Sequence, residues 1–224
     1  MTRPADLDTR ATRQPARVVR FTASSRWVHA TTGVLTLACI LSAFVLYNPV
    51  PANLLGNRHT LRTIHVWCGF ALPVPLLLGL VSKAYRSDLR RLNRFTDHDR
   101  EWLRSSRRRK AQIPVGKFNA GQKLNGALSS GALAVLLLTG SVMYFTHWTP
   151  LSWRSGATFT HDWFALGLGL LVVGHISFAV RRPTAMRAMW SGSVPLAWAR
   201  HEHPAWADEV AGPERGDGNL PEMG

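Results

Sequence analysis

Four stretches of about twenty mainly apolar residues divide this chain, and each is long enough for a helix to cross the roughly 30 Å hydrocarbon core of a bilayer. They run from about Trp27 to Tyr47, Leu61 to Val81, Leu124 to Phe145 and Phe159 to Val180. In hydrocarbon every backbone N–H and C=O must find a partner within the protein, so segments of this kind become helices. The first stretch stops at Asn48-Pro49-Val50-Pro51, the third near Trp148 and the fourth at Arg181-Arg182-Pro183. Pro73 and Pro75 fall inside the second and predict a kink there. The expected fold class is an all-α membrane protein, a four-transmembrane-helix bundle.

Charge orients the bundle. Lys and Arg total 27 against 13 acidic residues, and they lie between the apolar runs. Six Arg precede or open the first span, thirteen Lys or Arg lie from Lys83 to Lys123, and five Arg follow the fourth span. The other two connections hold only Arg58 and Arg62, and Arg154. The positive-inside rule therefore places both termini and the long middle loop in the cytoplasm. The expected organisation is a flexible basic arm over residues 1–20, a membrane domain over 21–206 and a disordered tail over 207–224. The arm carries Arg3, Arg10, Arg13, Arg17 and Arg20 but no apolar core, so it does not read as a secretory signal. The basic run at Arg107-Arg108-Arg109-Lys110 is read as a topology signal facing anionic lipid; no nucleic-acid partner is expected.

Cys39 and Cys68 are the only cysteines, both within apolar runs. Without a Cys-x-x-Cys pair, a cysteine zinc site, an iron–sulfur cluster and a covalently attached haem all lack their ligands.

Four of the nine histidines fall in the apolar stretches: His29, His65, His161 and His175. Ionisable groups at that depth are costly and point to function. His161 and His175 are fourteen residues apart, roughly 40° short of four full turns, so they share one helix face about 21 Å apart. His65 and His161 match in depth near the outer side, and His29 and His175 match towards the inner side. Each has a small residue one turn on: Gly33, Gly69, Ala165 and Ala179. Two imidazole pairs at two depths suit two bis-histidine haems stacked in a bundle. Arg58 and Arg62 are candidates for the outer haem's propionates and Arg26 for the inner's, or they are interfacial arginines whose heads reach water. His59 and His147 are expected at the outer interface, and His98, His201 and His203 in basic cytoplasmic segments. No acid lies centrally in a span, which argues against a proton pump, and no internal repeat marks a transporter.

Before the third span the chain reads Gly116-Lys117-Phe118-Asn119-Ala120-Gly121-Gln122-Lys123. On spacing alone, Asn119 with Gln122 is a helix capping box. The functional alternative is a quinone-head site, with amide donors and a glycine that permits close approach.

This octet resembles the cytoplasmic quinone motif of the gamma, cytochrome b, subunit of membrane-bound formate dehydrogenase, a di-haem family. Arg26-Trp27-Val28-His29, Ile64-His65-x-x-x-Gly69, the fourteen-residue histidine spacing and the Trp198 to Trp206 segment are also similar. The likeness covers roughly residues 17 to 210. It implies that His65 and His161 ligate an outer b haem and His29 and His175 an inner one. It implies a quinone, menaquinone or ubiquinone, near Asn119, Gly121 and Gln122. It also implies an iron–sulfur subunit and a catalytic dehydrogenase subunit as partners, in the bacterial inner membrane. Ala165 stands where the family would have glycine. The rival expectations are the cytochrome b of a nickel–iron hydrogenase or thiosulfate-type reductase, or a haem-free membrane anchor.

Overall fold

The computed structural model describes residues 16–48, 50, 57–105 and 113–212. A short strand β1 (Arg17–Val19) leads into α1 (Ala23–Tyr47), whose N-cap Thr22 accepts from the Ser25 amide. The second apolar stretch forms α2 (Arg58–Ala71) and α3 (Pro73–Gly79). The break between them follows from Pro73, which lacks the N–H that would continue the ladder. Next come α4 (Lys83–Asn93) and α5 (Asp97–Arg104). The remaining spans are α6 (Ala120–Tyr144) and α7 (Leu151–Val180), followed by α8 (Pro183–Ser191), β2 (Ser193–Pro195), α9 (Leu196–Glu202) and α10 (Pro204–Ala211). Among the described residues, four helical segments are thus long and apolar enough to cross a membrane, as expected: α1, α2–α3, α6 and α7.

The spans form two antiparallel hairpins, α1 with α2 and α6 with α7, and α2 also packs on α6. Most large apolar side chains on the spans are exposed, including Leu41, Phe44, Leu170 and Val173. That is the pattern of a bundle whose outer surface meets lipid. The α7 helix begins eight residues before the expected start of span four. With 30 residues it is about 45 Å long and overruns the bilayer core at the end away from the basic segments. The polar residues Arg154, Ser155 and Thr158 make this first part look like a loop in sequence.

The basic end carries a folded cap. Here β1 pairs antiparallel with β2, Val18 opposite Val194. Ala188, Val194, Ala199, Trp206 and Ala207 form a buried cluster, with Val18, Phe21, Leu196 and Trp198 packed against it. Gly192 ends α8 at φ 81°, and a Cβ there would sit 2.8 Å from the Phe21 carbonyl. Only glycine serves at that turn. Its own carbonyl accepts from the Arg20 and Phe21 amides. Two domain expectations change accordingly. Residues 17–20 are part of the cap rather than of a flexible arm, and the chain stays helical through Ala211 rather than becoming a tail at 207. Residues 1–15 and 213–224 lie outside the described residues, as does the basic run 107–110.

Arg20 and His203, 2% and 3% exposed, pin the cap together. Arg20 donates to the Lys117 carbonyl at 3.1 Å and to His203 Nε2 at 2.9 Å, and its guanidinium lies over Trp198. His203 Nδ1 donates to the Gly116 carbonyl at 2.7 Å. The chain's two ends thus hold the segment that enters α6. Ion pairs brace the rest. Lys123 bonds Asp99 at 2.6 Å and the Arg94 carbonyl, Lys117 bonds Asp88, and Arg182 bonds Glu202. Burial raises the Asp99 carboxyl, but the Lys123 and Thr96 hydrogen bonds outweigh it and hold it below its usual range.

Burial, reinforced by the Arg20 charge, pushes His203 down to about 3 from its ordinary 6.5. Above pH 6.5 the ring is neutral in both the docked and the released cap. Below it, only the released ring takes up a proton, so docking stability is lost as the pH falls from about 6.5 towards 3. Hydrogen exchange of residues 196–211, corrected for intrinsic rates, should show opening that rises on acidification to pH 5. The slope should approach one proton, about 1.4 kcal/mol per pH unit. The variant His203→Gln should flatten that slope.

Candidate functional site

The helix α7 contributes to two imidazole pairs. Arg154, His161, Leu168 and His175 recur every seven residues, which places them on one stripe. Leu168, midway between the histidines, is 4% exposed on a helix that is otherwise largely bare, so the stripe faces the bundle interior. His161 meets His65 of α2 with ring centroids 6.2 Å apart. His175 meets His29 of α1 at 6.0 Å. All four histidines singled out in sequence therefore come together in the pairs expected. The spacing has an independent check on α1. Ser42, which touches His65, lies thirteen residues from His29, about 20 Å along the axis.

Hydrogen bonds fix the tautomers of the far pair, the one remote from the basic end. His65 Nδ1 lies 3.1 Å from the Cys39 carbonyl and 3.0 Å from Ser42 Oγ. A carbonyl only accepts, so Nδ1 carries the proton. The Ser42 hydroxyl spends its own proton on the Ala38 carbonyl at 2.6 Å and accepts from the ring. His161 follows the same logic. Thr139 Oγ1 donates to the Val135 carbonyl at 2.7 Å and is 2.9 Å from His161 Nδ1. Both rings keep Nε2 as a lone pair, with no proton to offer the opposite imidazole. The His29 and His175 rings are exposed within the bundle, and no hydrogen bond holds them among the described residues.

Beside Gly33 and Gly69 a Cβ would meet nothing within 4 Å, so open space adjoins His29 and His65. At Gly140 a Cβ would come 3.4 Å from His161 Cε1, which places Gly140 opposite that ring. Fourteen residues along each antiparallel helix, the same register puts Gly126 at the depth of His175, with its open side taken by Leu92. Gln122 is one turn further towards the basic end, about 6 Å.

The capping box at α6 is present. Asn119 Oδ1 accepts from the Gln122 amide at 2.9 Å, and Gln122 Oε1 accepts from the Asn119 amide at 3.0 Å. Since these acceptors must be oxygens, each side-chain NH2 group remains a donor. Asn119 borders a cavity of about 170 Å³ whose walls include Thr96, His98, Asp99, Trp102 and Lys123. The space over Gly121 is used differently from the sequence expectation. A Cβ there would stand 3.1 Å from the Trp102 ring, so the missing side chain admits α5.

Of the three arginines expected near propionates, Arg62 is exposed and the other two have partners of their own. Arg58 donates to the Leu46 carbonyl at 3.1 Å, and Arg26 donates to the Trp190 carbonyl. Arg26 Nε is nevertheless buried without a partner among the described residues, as are Arg154 Nε and Thr32 Oγ1. Sequence reading missed Arg154, although the seven-residue step from His161 marks it, and Thr32, three residues on from His29. It also missed Ser42 and Thr139. Cys39 and Cys68 are free thiols, half-buried as expected of span cysteines.

Residues 20–192 match the family described as prokaryotic cytochrome b561. The chain is 32% identical to the formate dehydrogenase cytochrome b556 subunit of Haemophilus influenzae over 42% of its length, and spans 41% of that relative. It is 24% identical to the cytochrome b556(fdo) subunit of Escherichia coli formate dehydrogenase over 86% of its length and 93% of the relative's. The nitrate-inducible cytochrome b556(Fdn) subunit of Escherichia coli is 29% identical over 43% of the chain, which spans 46% of that relative. With the four apolar helices, these likenesses mark a multi-pass bacterial membrane protein.

Such a family implies b-type haem, and the residues fit it. Two imidazoles that share a metal stand roughly 6.4 Å apart between centroids, about 2.0 Å for each metal–nitrogen bond plus about 1.2 Å from nitrogen to ring centre. Both pairs lie close to that separation. The Nε2 atoms of His65 and His161 are the ring nitrogens left to ligate a metal, and the buried Arg154 Nε and Thr32 Oγ1 are donors left for a polar edge.

At Gly121 the tight fit predicts that Gly121→Ala forces Trp102 to shift, costing about 1 kcal/mol or more as overpacking does. A thermal melt in detergent should show the loss, and an additional Trp102→Leu substitution should relieve it.

Proposed function

This chain belongs to the prokaryotic cytochrome b561 family; from that premise we propose that it is the membrane cytochrome b subunit of a respiratory formate dehydrogenase, passing electrons to quinone. The observation that carries this reading is the two facing imidazole pairs, 6.0 and 6.2 Å between centroids. The names of its relatives favour formate dehydrogenase over a hydrogenase or thiosulfate-type reductase. The positive-inside rule puts the basic end, with both termini, in the cytoplasm of a bacterial inner membrane.

In this reading His65 and His161 hold an outer b haem, and His29 and His175 an inner one. When bound, the haems supply reversible one-electron chemistry at both depths. The protein sets their depth and ligation and keeps ring protons out of the way. Asn119 and Gln122 offer their NH2 groups to a quinone carbonyl, menaquinone or ubiquinone, about two turns and one turn beyond the depth of His175. Gly121 keeps that end of α6 tight against Trp102. Protons for quinol come from the cytoplasm, past the cavity beside Asn119.

Nothing in this chain oxidises formate; that belongs to a catalytic dehydrogenase subunit, with an iron–sulfur subunit delivering electrons at the outer face. Moving each electron inward against a membrane potential of 100 mV stores about 2.3 kcal/mol. Membrane lipid covers the exposed apolar faces of the spans.

Two substitution series test this. His161→Ala should lower the bound haem from two per chain to one, and His175→Ala should do so while also abolishing quinol formation. An unchanged count in either would refute the ligand assignment. The variants Asn119→Asp and Gln122→Glu keep the capping oxygens and remove the amide donors. Each should leave the melting temperature near its starting value and slow quinol formation roughly tenfold, the size of one lost hydrogen bond. Equal rates would confine both residues to capping.

A further inference from the structure

The two imidazole pairs differ in what holds them. Resting on the haem reading above, we propose that Ser42 and Thr139 are positioning residues for the outer haem, which lower its reduction potential through the Nδ1 protons of His65 and His161.

Each hydroxyl belongs to the hairpin partner of the helix bearing its histidine. Ser42 of α1 reaches His65 of α2 at 3.0 Å, and Thr139 of α6 reaches His161 of α7 at 2.9 Å. In both cases the hydroxyl proton is committed to a carbonyl one turn back, Ala38 or Val135. The oxygen can then only accept. The ring is held at a fixed rotation in the Nδ1–H tautomer, which leaves Nε2 as the nitrogen able to ligate iron.

An accepting oxygen on Nδ1–H draws the proton away and leaves the ring more electron-rich. Such a ring is the better donor to iron and favours the ferric over the ferrous state, which lowers the potential. His65 has two acceptors, Ser42 Oγ and the Cys39 carbonyl. Thr139 is the hydroxyl acceptor of His161. The inner rings, His29 and His175, carry no such bond among the described residues. The hydroxyls therefore act on one haem of the two, and the lowered potential drives the electron onward from it.

The test is a spectroelectrochemical titration of the purified complex, with a haem count on each preparation. Ser42→Ala and Thr139→Val should each move one of two potential components upward and leave the other in place. The double variant should move it furthest. Ser141→Ala is the control, since among the described residues that hydroxyl bonds only the Leu137 carbonyl; both components should stay. Ser42→Thr and Thr139→Ser, which keep the hydroxyl, should hold the original potentials. If the alanine or valine variant sheds one haem while its hydroxyl-retaining counterpart keeps two, the positioning role stands. Loss of haem in both overturns it, as does a double variant whose two potentials are unchanged or shift together. An unsubstituted protein without haem would instead defeat the haem reading itself.

Discussion

An imidazole inside hydrocarbon is costly while its ring nitrogens go unsatisfied, and that constraint shapes this bundle. At the far level Nδ1 is satisfied by the protein: the Cys39 carbonyl and Ser42 for His65, and Thr139 for His161. Nε2 is left over on both rings, whose centroids are 6.2 Å apart. A pair of lone pairs in an apolar layer calls for a cation between them. The 6 Å separations and the open ground beside Gly33 and Gly69 leave room for one carried in a flat macrocycle. The hairpins then have a clear division of labour. The α7 helix offers one ring to each level, α1 and α2 offer the others, and α6 braces the stripe from behind through Gly140 and Thr139.

The cap does for the basic end what hydrogen bonds do for the far pair. The Arg20–His203 pin ties strand β1 and helix α10 to the Gly116 and Lys117 carbonyls, three residues or fewer before Asn119. The Lys123–Asp99 pair fixes the first turn of α6 from the other side. Breaking a buried pair by removing one partner costs about 3–5 kcal/mol, whereas exposed pairs such as Arg100–Asp97 contribute little. The α6 N-terminus, with its two spare amide groups, is therefore held rigidly one to two turns beyond the depth where α7 presents His175.

The spans were legible because twenty apolar residues in a row have few other fates, and the kink because proline cannot donate. The histidine pairing was legible because fourteen residues return a helix to nearly the same face. Other features were hidden for physical reasons. The first turns of α7 carry Arg154, Ser155 and Thr158, which read as loop. The cap is held by alanines and one glycine, Ala188, Ala199, Ala207 and Gly192, whose burial depends on strand β1, distant in sequence. His203 looks solvated within His-Glu-His-Pro, and Arg20, 183 residues earlier, together with the Gly116 carbonyl, explains its burial. Ser42 and Thr139 look like ordinary helical hydroxyls bonded to their own backbone. Gly121 was read as room for a ligand, whereas Trp102 of α5 takes that room.

The claim on which everything else turns is that each imidazole pair holds one haem. The most direct measurement is a reduced-minus-oxidised spectrum of the chain purified in detergent with its partners, with a pyridine-haemochrome count. About two b-type haems per chain is the predicted result. A preparation made with ample haem that contains none would contradict the account and leave a membrane anchor in its place.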